Sequence, residues 1–247
     1  QSAAMNAPVL LLAAGRGERM RPLTDSCPKP LLPVRGQALM GHAMTRMRQA
    51  QVPQVIINTA WLGEQIESAF GHGETDQLPP IRYSHEGQDF GHALETAGGI
   101  ARALPLLPEV FWVAAGDVWA PDFAFDPRCV AQFQHSRALA HLWLVPNPDH
   151  HPQGDYALDE RGRVSLGQGD ERRLTYSTIG LYRRSLFEAP WLDIPNGNPE
   201  GVIAPLAPLQ RAAMASGLVT GAVYNGEWMD VGTPERLAHL NATGSEH

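Results

Sequence analysis

Cysteine is scarce in this chain. Cys27 and Cys129 are the only two, they lie far apart, and they share no metal-ligand spacing. Neither a disulfide framework nor a cysteine-built metal site is expected, and a reducing cytoplasm suits the usage. Positive charge is also short: the formal net charge is −7, which argues against nonspecific nucleic-acid binding, since that needs a basic surface. No apolar run approaches the roughly 20 residues of a membrane-spanning helix. The stretch Val9–Ala14 is too short for a signal-peptide core and runs straight into a basic loop, so the expected location is the cytoplasm. Gln1–Asn6 reads as a terminus that could fray. Two phosphate motifs are missing as well. No Gly-x-x-x-x-Gly-Lys-Ser/Thr string occurs, and Met20 stands where a dinucleotide fingerprint would need a third small residue after Gly15 and Gly17.

What is present points to a folded α/β protein. Hydrophobic residues make up 43% and charged residues 18% of the 247, enough for a sizeable core. Strand and helix patterns alternate: strands at Val9–Leu12, Val55–Asn58, Ile81–Tyr83 and Val110–Ala114, with helices at Leu39–Gln49, Leu62–Phe70 and Glu95–Leu104 between them. Met40, Met44 and Met47 fall at helical spacing and read as core. Such alternation predicts a mixed, mostly parallel sheet with helices on both faces and ligands at the carboxyl ends of its strands. After a strand at Ala138–Val145 come short strand signals at Tyr156–Leu158, Val164–Leu166 and Tyr176–Tyr182. These predict a small antiparallel insert that closes over a second substrate. A helix at Ala204–Ser216, a strand at Val219–Tyr224 and a last helix capped by Thr233 complete the pattern. With no visible boundary, repeat or low-complexity tract, a single domain over residues 1–247 is expected, its core at about 8–240.

The run Leu10–Thr24 carries Gly15-Arg16-Gly17-Glu18-Arg19-Met20-Arg21-Pro22-Leu23-Thr24 at the end of an apolar strand, followed by Pro28-Lys29-Pro30. Glycines let backbone N–H groups approach an anion, and basic side chains supply charge to phosphate oxygens. This segment suits a triphosphate at the mouth of a sheet. Asp117, just past the fourth strand, sits where α/β sheets bind ligands.

These strings resemble the signature of the sugar-phosphate nucleotidyltransferases, Gly-x-Gly-x-Arg-Met/Leu-x-Pro-Leu-Thr followed by Pro-Lys-Pro. The resemblance implies a Rossmann-like nucleotidyltransferase fold, with Gly15, Gly17, Glu18 and Arg19 around the triphosphate and Lys29 on the phosphates. It implies that Asp117 and Asp230, in Trp228-Met229-Asp230-Val231-Gly232, converge on Mg²⁺, which prefers hard oxygen ligands and is held by few carboxylates plus substrate phosphates. The string Ala93-Leu94-Glu95-Thr96-Ala97-Gly98-Gly99 resembles the family's Gly-rich loop, which opens a helix and cradles the base; Glu95 and Thr96 would meet the pyrimidine edge. In such a reaction a sugar 1-phosphate attacks the α-phosphorus of a nucleoside triphosphate. The attacking phosphate has a second pKa of about 6 and needs no general base. Alignment and charge cancellation suffice, with Arg19 and Lys29 as the catalytic side chains. None of the ten histidines is required. His150 and His151 make a poor metal pair, because adjacent residues in a proline-bounded loop point in different directions.

A narrower likeness extends over Val9–Leu240. It rests on the Gly17–Thr24 and Leu94–Gly99 strings, on Asn147-Pro148-Asp149-His150-His151-Pro152-Gln153-Gly154-Asp155-Tyr156 and on Ala204–Leu209. These resemble the bacterial branch that transfers UMP from UTP to N-acetylmuramate α-1-phosphate in cell-wall recycling. On that branch Asp155 and Thr178 would line the sugar pocket. Two features depart from it: Ala115 stands where the family carries asparagine, and the loop Gln88–His92 is longer than its pattern. Guanylyl or thymidylyl transfer to mannose or glucose 1-phosphate, and a non-catalytic sugar-nucleotide-binding regulator, are the alternatives. The expected partners are UTP and a sugar 1-phosphate, with no nucleic acid, membrane or obligate protein partner.

Overall fold

The computed structural model describes residues 4–243; Gln1–Ala3, within the stretch expected to fray, lie outside them. Asn6, at the other end of that stretch, is firmly held: its amide donates to Ala50 O at 2.9 Å and Phe125 O at 2.8 Å, and its Oδ1 accepts from Trp112 Nε1.

Among the described residues the centre is a seven-stranded sheet. Its strands are β1 (Val9–Ala13), β2 (Val55–Thr59), β3 (Ile81–His85), β4 (Val110–Ala115), β5 (Ala140–Val145), β6 (Thr175–Arg183) and β7 (Val219–Val223). Their order across the sheet is β7-β5-β6-β4-β1-β2-β3. β1 pairs in parallel with β2 and β4, and β2 with β3, while β6 runs antiparallel to both β4 and β5. The sheet is therefore mixed and mostly parallel, as the alternation predicts. The beginning of β6 lies at the same edge as the ends of β1 and β4.

Side chains alternate along each strand. Val9, Leu11 and Ala13 face one core, and Leu10 faces the other. The first core is closed by α1 (Leu39–Gln49), α2 (Gly63–Phe70) and α5 (Pro127–His135). Met40, Met44 and Met47 are fully buried there, each worth about 1.5–3 kcal/mol of transfer free energy. The second core is closed by α4 (Glu95–Ala103) and α6 (Ala207–Ala215). A third cluster packs Met20 of the basic loop against Trp119, Val231 and Leu237 of α7 (Pro234–Thr243). Met20 thus anchors the loop instead of supplying a third close approach to phosphate. Thr233 Oγ1 accepts from Arg236 N at 3.3 Å, the cap expected for α7.

Three expectations change. The antiparallel insert shrinks to one hairpin, Ala157–Leu158 against Val164–Ser165. The third signal, Tyr176–Tyr182, falls within β6, an interior strand of the main sheet, because its apolar residues alternate between the two cores. The stretch past β3 contains a short helix, α3 (Glu86–Phe90), pinned by Arg102 over the Phe90 ring and by the Arg102–Asp89 pair at 3.1 Å. Helix α5 follows Asp126, whose side chain caps it by accepting from Arg128 N at 2.9 Å; the Pro-rich stretch before it obscures the helical spacing.

Candidate active site

A cleft of about 680 Å³ opens at the carboxyl edge of β1 and β4. The loop after β1 forms one wall. Gly17 has a left-handed backbone, φ 71°, and a Cβ there would stand 2.8 Å from Thr24 Cγ2. That position requires glycine. Thr24 is buried and donates to Gly17 O at 2.7 Å, closing the loop on itself. Of its three arginines, Arg16 and Arg21 each bond Asp25 Oδ1 at 2.8 Å, and Arg16 also stacks on Trp61. These two are loop clamps. Arg19 is exposed, and among the described residues it pairs with no carboxylate; its Nη2 lies 3.2 Å from where a Gly232 Cβ would be. Gly15, Gly17 and Lys29 line the cleft, whereas Glu18 and Arg19 stand outside its lining. Glu18 faces Arg21 at 3.7 Å across the surface.

Lys29 reaches across from the loop to the end of β4. Its Nζ donates to Asp117 Oδ2 at 2.8 Å, with side-chain exposures of 14% and 34%. It is also the chain's single lysine. Asp230 approaches Asp117 through backbone pairing: Met229–Asp230 lies antiparallel to Val118–Trp119, and Val231 N donates to Asp117 O at 2.9 Å. The two residues, 113 positions apart in sequence by their numbering, therefore stand on the two paired backbone segments of one antiparallel ladder. Asp230 itself is not a lining residue. His150 Nε2 is 3.1 Å from both of its carboxylate oxygens and bonds Oδ2, and Arg236 Nη2 is 3.5 Å from Oδ2. Its Oδ1 is buried and accepts no hydrogen bond. Two carboxylates on paired backbone segments supply the hard oxygen chemistry that Mg²⁺ prefers. On this test the pair fits Mg²⁺, although among the described residues no three or more His, Cys, Asp or Glu side chains gather at one point.

Residues 8–166, more than half of the chain, match the family described as Nucleotidyl transferase. The chain belongs to that family. Among its relatives, the N-acetylmuramate alpha-1-phosphate uridylyltransferase of Neisseria meningitidis is 45% identical over 94% of this chain and 96% of its own. The enzyme of the same description from Caulobacter vibrioides is 32% identical over 92% of each. Among solved structures, UDP-glucose pyrophosphorylase from Acinetobacter baumanii superimposes with a TM-score of 0.76 over 97% of this chain and 93% of that one, at 15% identity. That likeness shows the shared fold.

The other side of this nucleotidyltransferase cleft lies under β2, β3 and the start of α4. Glu95 and Thr96 line it, and Glu95 begins α4 in the left-handed region, φ 55°. The loop that presents them is held from below. Asn58 Oδ1 accepts from Ala13 N at 2.7 Å, Asn58 Nδ2 donates to Glu86 Oε1 at 2.9 Å, and Glu86 Oε2 accepts from Leu94 N at 3.0 Å. Glu86 is fully buried, and desolvation holds its carboxyl above the usual range despite these bonds. Sequence reasoning missed both Asn58 and Glu86; a polar residue ending an apolar strand was the available signal. Gly98 and Gly99 lie inside α4, so they do not form the cradle. A Cβ on Gly99 would come 2.5 Å from Glu86 Oε1, and one on Gly98 would meet Val202 O at 2.5 Å. Their smallness lets the helix sit on this network.

At the end over β6, the cleft is lined by Asp155, Tyr156, Tyr176, Thr178 and Gln210. Both Asp155 oxygens are engaged, Oδ1 with His151 Nε2 at 3.0 Å and Oδ2 with Tyr176 N at 2.8 Å. The adjacent histidines do diverge: His150 goes to Asp230, His151 to Asp155. Thr178 occupies a register shift in β6 with φ 62°, an uncommon conformation for a β-branched residue. Ala115 lines the cleft as well.

Proposed function

We propose that this chain transfers UMP from UTP to a sugar 1-phosphate, most specifically N-acetylmuramate α-1-phosphate, giving UDP-N-acetylmuramate and pyrophosphate. The observation that carries this reading is the contact between Lys29 and Asp117 at the mouth of the cleft, with Asp230 on the paired backbone segment. The near full-length identity to two N-acetylmuramate alpha-1-phosphate uridylyltransferases supports the choice of base and sugar.

A phosphate oxygen of the sugar phosphate bonds to the α-phosphorus of UTP, and the bond from that phosphorus to the oxygen bridging the β-phosphate breaks. Pyrophosphate carries the electron pair away. Since the attacking phosphate is already largely ionised, no side chain has to remove a proton. The residues orient and neutralise. Gly15 and Gly17 bring backbone close to the triphosphate, and Lys29 supplies an ammonium at the phosphates. Arg19, exposed and unpaired with any carboxylate among the described residues, adds a second cation. Glu95 and Thr96 face the uracil edge. Asp117 and Asp230 would hold Mg²⁺, which when bound supplies charge neutralisation for the phosphates. Asp155, tied to His151 and to Tyr176 N, shapes the sugar end together with Thr178. A reaction that consumes UTP fits a cytoplasmic site of action.

The test is pyrophosphate release with Mg²⁺ over a grid of four nucleoside triphosphates and several sugar 1-phosphates. A dominant signal for UTP with N-acetylmuramate α-1-phosphate is expected. A dominant signal for another pair would move the substrate while keeping the chemistry; silence from folded protein would refute the transfer reading.

A further inference from the structure

Four polar side chains are linked beneath the end of the cleft over β6. Tyr156 donates to Gln210 Oε1 at 2.5 Å, Gln210 Nε2 donates to Tyr182 OH at 2.8 Å, and the Tyr176 and Tyr182 hydroxyls are 2.7 Å apart. Gln210 is 2% exposed and Tyr182 is fully buried. Burial pushes all three phenols upward, Tyr156 to about 12, so each keeps its proton at neutral pH.

Each phenol has one proton to place along this chain. Tyr182 accepts from the Gln210 amide, so its own proton has one oxygen within reach among the described residues, that of Tyr176. Either hydroxyl can donate across that contact; with Tyr182 donating, Tyr176 accepts. The Tyr176 proton then has no acceptor within the protein among the described residues. Tyr176, unlike Tyr182, borders the cleft. Gln210 also borders it and has a second amide proton beyond the one given to Tyr182. Two side chains that carry neutral donors thus line the same end of the cleft. Leu206 and Ala207 supply apolar surface beside them, and among the lining residues the only cation is Lys29, at the phosphate end. Neutral donors beside apolar surface suit a neutral carbonyl oxygen with an attached methyl group.

We propose that Tyr176 and Gln210 determine sugar specificity by donating to the carbonyl oxygen of an N-acetyl group on the sugar, with its methyl against Leu206 and Ala207. This rests on the sugar-phosphate transfer proposed above and deepens it. UDP-N-acetylglucosamine and UDP-glucose are the probes, since they differ only in an acetamido group against a hydroxyl. Calorimetric binding needs neither turnover nor metal. The wild-type protein should bind the acetamido compound at least about tenfold more tightly, the worth of roughly one net hydrogen bond. Tyr176→Phe should erase most of that preference, weakening UDP-N-acetylglucosamine about tenfold while leaving UDP-glucose and UTP within twofold. Tyr182→Phe is the structural control: it breaks the same chain away from the cleft and should lower thermal stability while keeping the preference. Equal weakening of both sugar nucleotides by Tyr176→Phe, no weakening of either, or no wild-type preference would overturn the proposal. The two readings fail separately. Transfer in the substrate grid without acetamido preference sinks this inference alone, and acetamido preference without transfer sinks the reaction alone.

Discussion

Replacing Lys29 with alanine separates a catalytic role from a structural one, because the geometry gives each a different size. The ammonium meets Asp117 at 2.8 Å with 14% and 34% of the two side chains exposed. Exposed pairs contribute about 0–1 kcal/mol, and breaking a fully buried pair costs about 3–5. This pair is intermediate and its carboxylate can turn to water, so a loss of about 1–2 kcal/mol is expected, which for a chain of this size is a fall of about 2–8 °C in Tm. Catalysis should suffer more. Removing one preorganised donor from a site of developing phosphate charge costs about 2.7–4 kcal/mol, or about 10²–10³ in kcat. Steady-state pyrophosphate release and differential scanning calorimetry on the same preparation measure both numbers. A kcat reduced less than about fivefold together with a large loss of Tm would refute the reasoning and leave Lys29 as a tether for the loop after β1.

Asp117→Ala and Asp230→Ala should each abolish turnover while keeping the protein folded; either variant working at near wild-type rate sinks its metal role. As Lys29 is the only lysine, an amine-acylating reagent has one side-chain target, and saturating UTP should slow its modification, read by mass spectrometry; equal rates with and without UTP would contradict contact with the phosphates. His141, on β5, bonds Thr220 Oγ1 at 2.8 Å, and burial lowers its pKa to about 4 from 6.5. The folded state therefore stays neutral while the unfolded chain takes up a proton. This contribution is complete above pH 6.5 and is lost as pH falls from 6.5 to about 4, by up to about 3 kcal/mol. Urea unfolding of wild type and His141→Gln should converge across that window, and parallel pH curves would disprove the linkage.

The contiguous features of this protein were legible in one dimension. The strand ending in Gly15-Arg16-Gly17, the buried methionine face of α1 and the position of Asp117 after β4 depend on local pattern: hydrophobic period, glycine where a Cβ would clash, a carboxylate at a strand end. Local pattern also announced each strand of the parallel half. It could not say that Thr175–Arg183 enters the main sheet and the shorter hairpin does not, since alternation looks alike in an insert and in an interior strand. Nor could it rank three arginines in one loop; only the fold brings Asp25 back to clamp Arg16 and Arg21 and leaves Arg19 unpaired. The bringing together of Asp117 and Asp230, the reach of His150 to Asp230, and the Asn58–Glu86 pair join residues 28 to 113 positions apart by their numbering. A sequence determines which chemical groups a chain carries and how each segment curls. Which groups share a cleft is decided when β4, β6 and the Met229–Asp230 ladder close around it, because hydrogen bonds and burial act over a few ångströms of space, whatever the distance along the chain.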